Sequence, residues 1–95
     1  MPLDVVKLTQ DLISFNSVSS LTNVPAARYC AKVLKSLGFK VEQLSYKDAK
    51  GVDKLSVVGK LGKGTGGLAL MSHVDVVPAE NASDWTDSPF VGRVS

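Results

Sequence analysis

The chain has 95 residues, with eleven Lys and Arg against nine Asp and Glu for a formal charge of +2, and a single cysteine, Cys30. That length suits one small domain, which buries only ~60–70% of the surface its unfolded form exposes, and a composition 44% apolar and 21% charged argues for a folded chain rather than a disordered one. Basic residues scattered from Lys7 to Arg93 make no stripe of the kind nucleic acid needs, one cysteine excludes an internal disulfide and any all-cysteine metal site, and no apolar run approaches the ~20 residues of a membrane span.

The opening "MPLDVVKLTQ" carries an acid at Asp4 and lacks the basic start and apolar stretch of a secretory signal, so a reducing, cytoplasmic setting is expected. Within "PLDVVKLTQDLISFNS" the apolar Val5, Leu8, Leu12 and Phe15 recur every three or four residues, which predicts an amphipathic helix. "NSVSSLTN" reads as a polar loop that ends in a helix start, with Thr22 or Asn23 as the cap and Pro25 in the first turn. The stripe of the second helix is Ala27, Cys30, Leu34 and Leu37, and Gly38 stands where a left-handed C-terminal cap is wanted.

After Gly38 the period drops to two in "FKVEQLSYK", an imperfect alternation that predicts a half-exposed edge strand. "DAKGVDK" links it to a second strand, "LSVVGKLG", and "GKGTGG" links that to a third, "GLALMSHV". The third is the most apolar, as strands covered on both faces are, and the two helices could supply part of that cover. The fold class expected is therefore α/β, with two helices packed on a mixed sheet. The stretch from Pro78 to Pro89 is rich in Asn, Ser, Asp and Pro and reads as a long loop, of the length that is usually functional or disordered. "FVGRVS" then turns extended with no evident partner strand, so the 95 residues are expected to be the front part of something larger.

Several features invite chemistry. "GKGTGG" suggests a phosphate loop, but Lys63 comes early and an apolar strand follows where a helix N-terminus would be required, so a connecting turn is the expected role. Ser72 adjoins His73, yet neighbours on a regular strand point to opposite faces and cannot form a nucleophile–base pair. Cys30 lies on an apolar helix face as a small buried hydrophobe. Trp85, Pro89 and Phe90 suggest a hydrophobic plug over the sheet end, with a substrate cleft as the other reading, and Glu80, Asp84 and Asp87 are expected to be solvated. His73 and Asp75 are different. At i and i+2 on a strand they project to one side, at the C-terminal end where α/β sheets place their ligand crevices. A metal-binding imidazole usually needs a carboxylate or carbonyl to fix its tautomer, and His-x-Asp supplies that half of a site. A structural histidine remains the other reading of so short a pattern.

The run "GGLALMSHVDVVPAENASDWTDSPFVGRV" resembles the first metal-ligand segment of the zinc-dependent amidohydrolase and exopeptidase family that includes acetylornithine deacetylase, succinyl-diaminopimelate desuccinylase, aminoacylase and carboxypeptidase G. The order of elements before it is also similar to that family. The resemblance implies the N-terminal part of an incomplete catalytic domain over residues 1–95, with His73 as a zinc ligand and Asp75 serving catalysis as the carboxylate that orients a ligand imidazole. It implies two Zn²⁺ in the complete site, with Co²⁺ or Mn²⁺ as alternatives, and a general-base glutamate and further ligands beyond Ser95. The implied partner is an N-acyl amino acid or small peptide, with no nucleic acid and no membrane, and a homodimer is one assembly it allows for the whole protein. Acetylornithine deacetylase and the desuccinylase are the most similar members. A non-catalytic α/β binding module with a structural His73 is the rival expectation.

Overall fold

A computed structural model describes residues 3–79 and 82–94. Its elements are helix α1 (Val5–Ile13), helix α2 (Val24–Ser36), strand β1 (Lys40–Lys47), strand β2 (Asp53–Lys60) and one 3-10 turn, Ala82–Asp84. No helix among the described residues is long and apolar enough to cross a membrane.

α1 begins at Asp4, whose carboxylate accepts the N–H groups of Val6 and Lys7 at 3.0 and 3.2 Å and so satisfies two donors the first turn leaves open. Of the expected stripe, Leu8 and Leu12 are half-buried, and Phe15, just past the helix, packs against Tyr29 of α2 with ring centroids 5.6 Å apart. Val5 is exposed, because contact with α2 is made toward the other end of α1, where the Tyr29 hydroxyl also donates to Asp11 at 2.7 Å.

α2 carries Pro25 in its first turn, as expected. Asn23 occupies the cap position, but its side chain makes no cap bond; the Thr22 hydroxyl instead accepts the Val24 N–H at 3.2 Å. At the other end Gly38 has φ +92°, the Phe39 N–H reaches Leu34 C=O and the Gly38 N–H reaches Lys35 C=O, both at 3.1 Å. That paired bonding closes the helix and requires a residue free to adopt positive φ.

β1 and β2 form an antiparallel hairpin in register from Lys40↔Lys60 to Lys47↔Asp53. Its turn is held by Asp48, whose carboxylate accepts the N–H groups of Lys50 and Val52 at 2.9 Å each. α2 lies across both strands. Ala26, Ala27 and Ala31 are buried along its inner face and Leu55 is buried on β2, small side chains on the helix letting it approach the sheet. Gly59 serves the same seam, since a Cβ there would stand 3.1 Å from Leu34 and 3.2 Å from Phe39.

The architecture is thus a small α/β unit with two helices and a two-stranded antiparallel sheet. The expected third strand does not form among the described residues: Leu68, Leu70 and Met71 are 87, 89 and 93% exposed, and the sole parallel pairing there is an isolated bridge between Val18 and Val76. An apolar run becomes a strand only where a neighbour offers free N–H and C=O groups. On β2 those of Leu55 are both taken by the Asn23 side chain, and the Asp53 carbonyl by Thr22. Residues 90–94 likewise make no strand; the Gln10 side chain donates to Gly92 C=O and holds this stretch against α1. The Cα radius of gyration is 15.4 Å, against roughly 12 Å for a compact domain of this length. The apolar segment that stands off the body contributes to that excess. After β2, Gly62, Gly64, Gly66 and Gly67 all have positive φ and no helix follows, so "GKGTGG" is a connecting turn and not a phosphate loop.

Candidate metal centre

His73 and Asp75 are brought together as their i, i+2 spacing predicts, although no ladder holds the segment. The imidazole Nδ1 lies 3.0 Å from Asp75 Oδ1 and 3.0 Å from the Asp75 main-chain oxygen. Both neighbours are acceptors, so in the neutral ring the proton belongs on Nδ1 and the lone pair on Nε2. The ring is 81% exposed. A histidine kept for packing would be buried, whereas this one is oriented on one nitrogen and open at the other. That is the donor arrangement a divalent metal selects, with a carboxylate behind the ligating imidazole.

The carboxylate is held in turn. Asp75 Oδ2 accepts the Ser19 hydroxyl at 2.6 Å, and this bond, with the neighbouring His73 as a lesser cause, keeps the Asp75 carboxyl below its ordinary range. Ser19 belongs to the α1–α2 loop, which docks on residues 74–76 through main-chain bonds. Val76 N–H donates to Ser17 C=O and Ser19 N–H to Val76 C=O, both at 3.0 Å. The buried Ser17 adds its hydroxyl to Val74 C=O at 2.6 Å. Behind the loop, Lys54 of β2 is only 9% exposed, and its ammonium donates to Ser19 C=O at 2.8 Å and Leu21 C=O at 2.6 Å.

The sequence alone singles out none of Ser17, Ser19 and Lys54, since "NSVSSLTN" reads as a polar connection. The signal it does carry is the Ser17-Val18-Ser19 alternation, a strand-like period that lets one residue bridge to Val76 while its neighbours bond the chain opposite.

His73 and Asp75 line an open cleft of about 780 Å³ with Cys30, Leu34, Tyr46 and Val57. Cys30 is a free, half-buried thiol whose pKa burial pushes up, which fits the inert hydrophobe expected of it. Ser72 lines the same cleft and has no bond to His73. Trp85 is half-exposed rather than seated as a plug, while Pro89 and Phe90 are half-buried. Asp84 is exposed as expected, Asp87 pairs with Arg93 at 3.1 Å, and Glu80 lies outside the described residues. Among the described residues no three metal-capable side chains converge. A catalytic zinc takes about three protein ligands, so these residues fit one ligand and its orienting carboxylate, not a complete centre.

Comparison with known proteins returns a consistent set of relatives. The chain is 33% identical over 94 residues to the succinyl-diaminopimelate desuccinylase of Ehrlichia canis (strain Jake), covering 99% of the chain and 24% of that protein. It is 37% identical over 94 residues to the protein of the same name from Wolbachia sp. subsp. Brugia malayi, covering 99% of the chain and 23% of the relative. The acetylornithine deacetylase of Myxococcus xanthus is 36% identical over 81 residues, 82% of the chain and 21% of that protein. The chain therefore spans about a quarter of the length of the curated relatives it matches. No family model and no solved structure matches it.

Proposed function

Because the chain belongs to the family of succinyl-diaminopimelate desuccinylase and acetylornithine deacetylase, at about a quarter of their length, we propose that it is the N-terminal part of the catalytic domain of a zinc-dependent hydrolase. Its reaction is cleavage of the amide bond of an N-acyl amino acid or small peptide, in the cytoplasm. The observation that carries the reading is His73, tied through Nδ1 to Asp75 and open at Nε2.

The two residues divide the work between them. His73 offers Nε2 as one metal ligand. Asp75 holds the ring in the tautomer that makes Nε2 a donor and raises its basicity by accepting from Nδ1–H. When bound, zinc polarises the amide carbonyl and lowers the pKa of water to about 7. The remaining ligands and the general base belong, on this reading, to the rest of the whole protein; Co²⁺ or Mn²⁺ are its alternative metals. The rival reading, a binding module with a structural histidine, finds no support in a ring that is 81% exposed.

The test is hydrolysis of N-succinyl and N-acetyl amino acids by the whole protein, before chelation, after it, and after return of zinc. Activity is expected to vanish with the metal and to come back with it. Hydrolysis that survives complete metal removal refutes the proposal.

A further inference from the structure

We infer that Ser19 is a positioning residue for the His73 imidazole, acting through Asp75 from a different part of the chain. The carboxylate has two oxygens with separate partners. Oδ1 faces His73 Nδ1 at 3.0 Å, and Oδ2 takes the Ser19 hydroxyl at 2.6 Å. With Oδ2 anchored, rotation about the Asp75 side chain is stopped, and Oδ1 is held where Nδ1–H must point at it. Without that anchor the carboxylate of a half-exposed aspartate turns freely in water, and the ring keeps only the weaker, main-chain acceptor of Asp75.

The anchor is itself rigid for reasons that do not involve its side chain. Ser19 N–H is bound to Val76 C=O and Ser19 C=O to the Lys54 ammonium, so the hydroxyl projects from a backbone fixed on both sides. Lys54 rises from β2, on the face opposite Leu55 where the α1–α2 loop covers it, and thus ties the loop that orients His73 to the sheet. The position also demands a small hydroxyl residue. Ser19 is exposed, so threonine fits, while alanine keeps the backbone bonds and deletes the anchor.

The inference rests on the reading of His73 as a ligand, and its test has a readout independent of activity. His73 is the chain's one histidine, so ¹⁵N-histidine labelling of the chain reports a single ring. With the ring neutral, the ¹⁵N shifts give the ratio of Nδ1–H to Nε2–H tautomers. The intact chain is expected to favour Nδ1–H, opposite to the preference of a free imidazole in water. Loss of a partner behind a ligand histidine changes affinity or activity ~10–100-fold, and an anchor one bond further out belongs at the low end. Ser19→Ala should therefore lower the tautomer ratio by about tenfold, ~1.4 kcal/mol, and Ser19→Thr should restore it. Hydrogen exchange at Ala27, Ala31 and Leu55 should be the same in all three chains, since the core does not use the hydroxyl. An unchanged ratio in Ser19→Ala, or an altered one that Thr fails to rescue, overturns the inference while leaving the proposed hydrolase untouched. A whole protein that hydrolyses without metal refutes that reading instead, and the tautomer response to Ser19 would still be measured.

Discussion

Replacing Asn23 by alanine should be among the most damaging single changes available to this fold, although the residue looks like an ordinary helix cap. Its amide spans Leu55, with Oδ1 accepting the Leu55 N–H at 2.8 Å and Nδ2 donating to the Leu55 C=O at 3.1 Å. The side chain thus acts as a one-residue partner strand on β2. Alanine removes both bonds. Each is worth ~0.5–1.5 kcal/mol net, and a group left buried without a partner costs ~1–3 kcal/mol. Leu55 is 7% exposed, so water reaches its freed groups poorly, and a loss of about 2–3 kcal/mol is expected, between the two-bond sum and the full burial penalty. For a chain of this size that corresponds to a fall in Tm of roughly 10–20 °C, at ~4–8 °C per kcal/mol. Asn23→Asp separates the contributions: it keeps an acceptor for the N–H but sets a carboxylate oxygen against the Leu55 carbonyl, so it should stay destabilised at neutral pH and recover on acidification. Thermal melts followed by circular dichroism make the measurement. An alanine variant that melts within a few degrees of the parent chain would refute the reasoning and return Asn23 to the role of a dispensable cap.

Three further outcomes are expected. Asp75→Asn in the whole protein should lower turnover and zinc content ~10–100-fold with little change in Tm, because an amide cannot accept from both Ser19 and His73 Nδ1 once one of its ends is a donor; equal turnover and zinc content would reduce Asp75 to a surface acid. The Asp11–Tyr29 pair should narrow the pH range of stability at both ends. Bonds from Lys7 and then Tyr29 hold the Asp11 carboxyl below its ordinary value, and the bond to Asp11 pushes the Tyr29 hydroxyl up. The Asp11 contribution is therefore complete above ~3.9 and lost as pH falls through the lowered pKa, while that of Tyr29 is complete below ~10 and lost as pH rises through the raised one. In Tyr29→Phe the alkaline loss should disappear and the acid loss should shrink, read from melts across pH; an unchanged alkaline limb would sink this account. Finally, the 95-residue chain by itself should show no amide hydrolysis and only weak zinc binding by calorimetry, since one imidazole and nearby carboxylates fall short of a catalytic ligand set; tight stoichiometric binding would mean that a complete site exists within it.

How much of this was legible in the sequence depended on whether a residue's role is local. Pro25 and Gly38 bound α2 because their backbone preferences act where they stand, and the change of period after Gly38 marks β1 for the same reason. The His73–Asp75 contact was legible because residues two apart on an extended chain share a side whether or not a partner strand is present. The roles that could not be read are those settled by distant partners. β2 begins at Asp53, two residues before its apolar run, because Asp53 and Lys54 pair with Lys47 and Tyr46 of β1, and the Lys54 side chain is held by two loop carbonyls that sequence proximity does not reveal. Asn23 has the composition of a cap and the bonds of a strand. "GLALMSHV" has the composition of a buried strand, yet composition confers the capacity to pair, and pairing needs an edge; with Leu55 bound to Asn23, that edge of β2 is closed at its buried residue. The end of the stretch meets the α1–α2 loop instead, where Ser17, Val18 and Ser19 bond residues 74–76 through backbone and hydroxyl groups. His73 therefore owes its orientation to a loop far earlier in the chain, and a polar connection that reads as filler holds one end of the candidate metal centre.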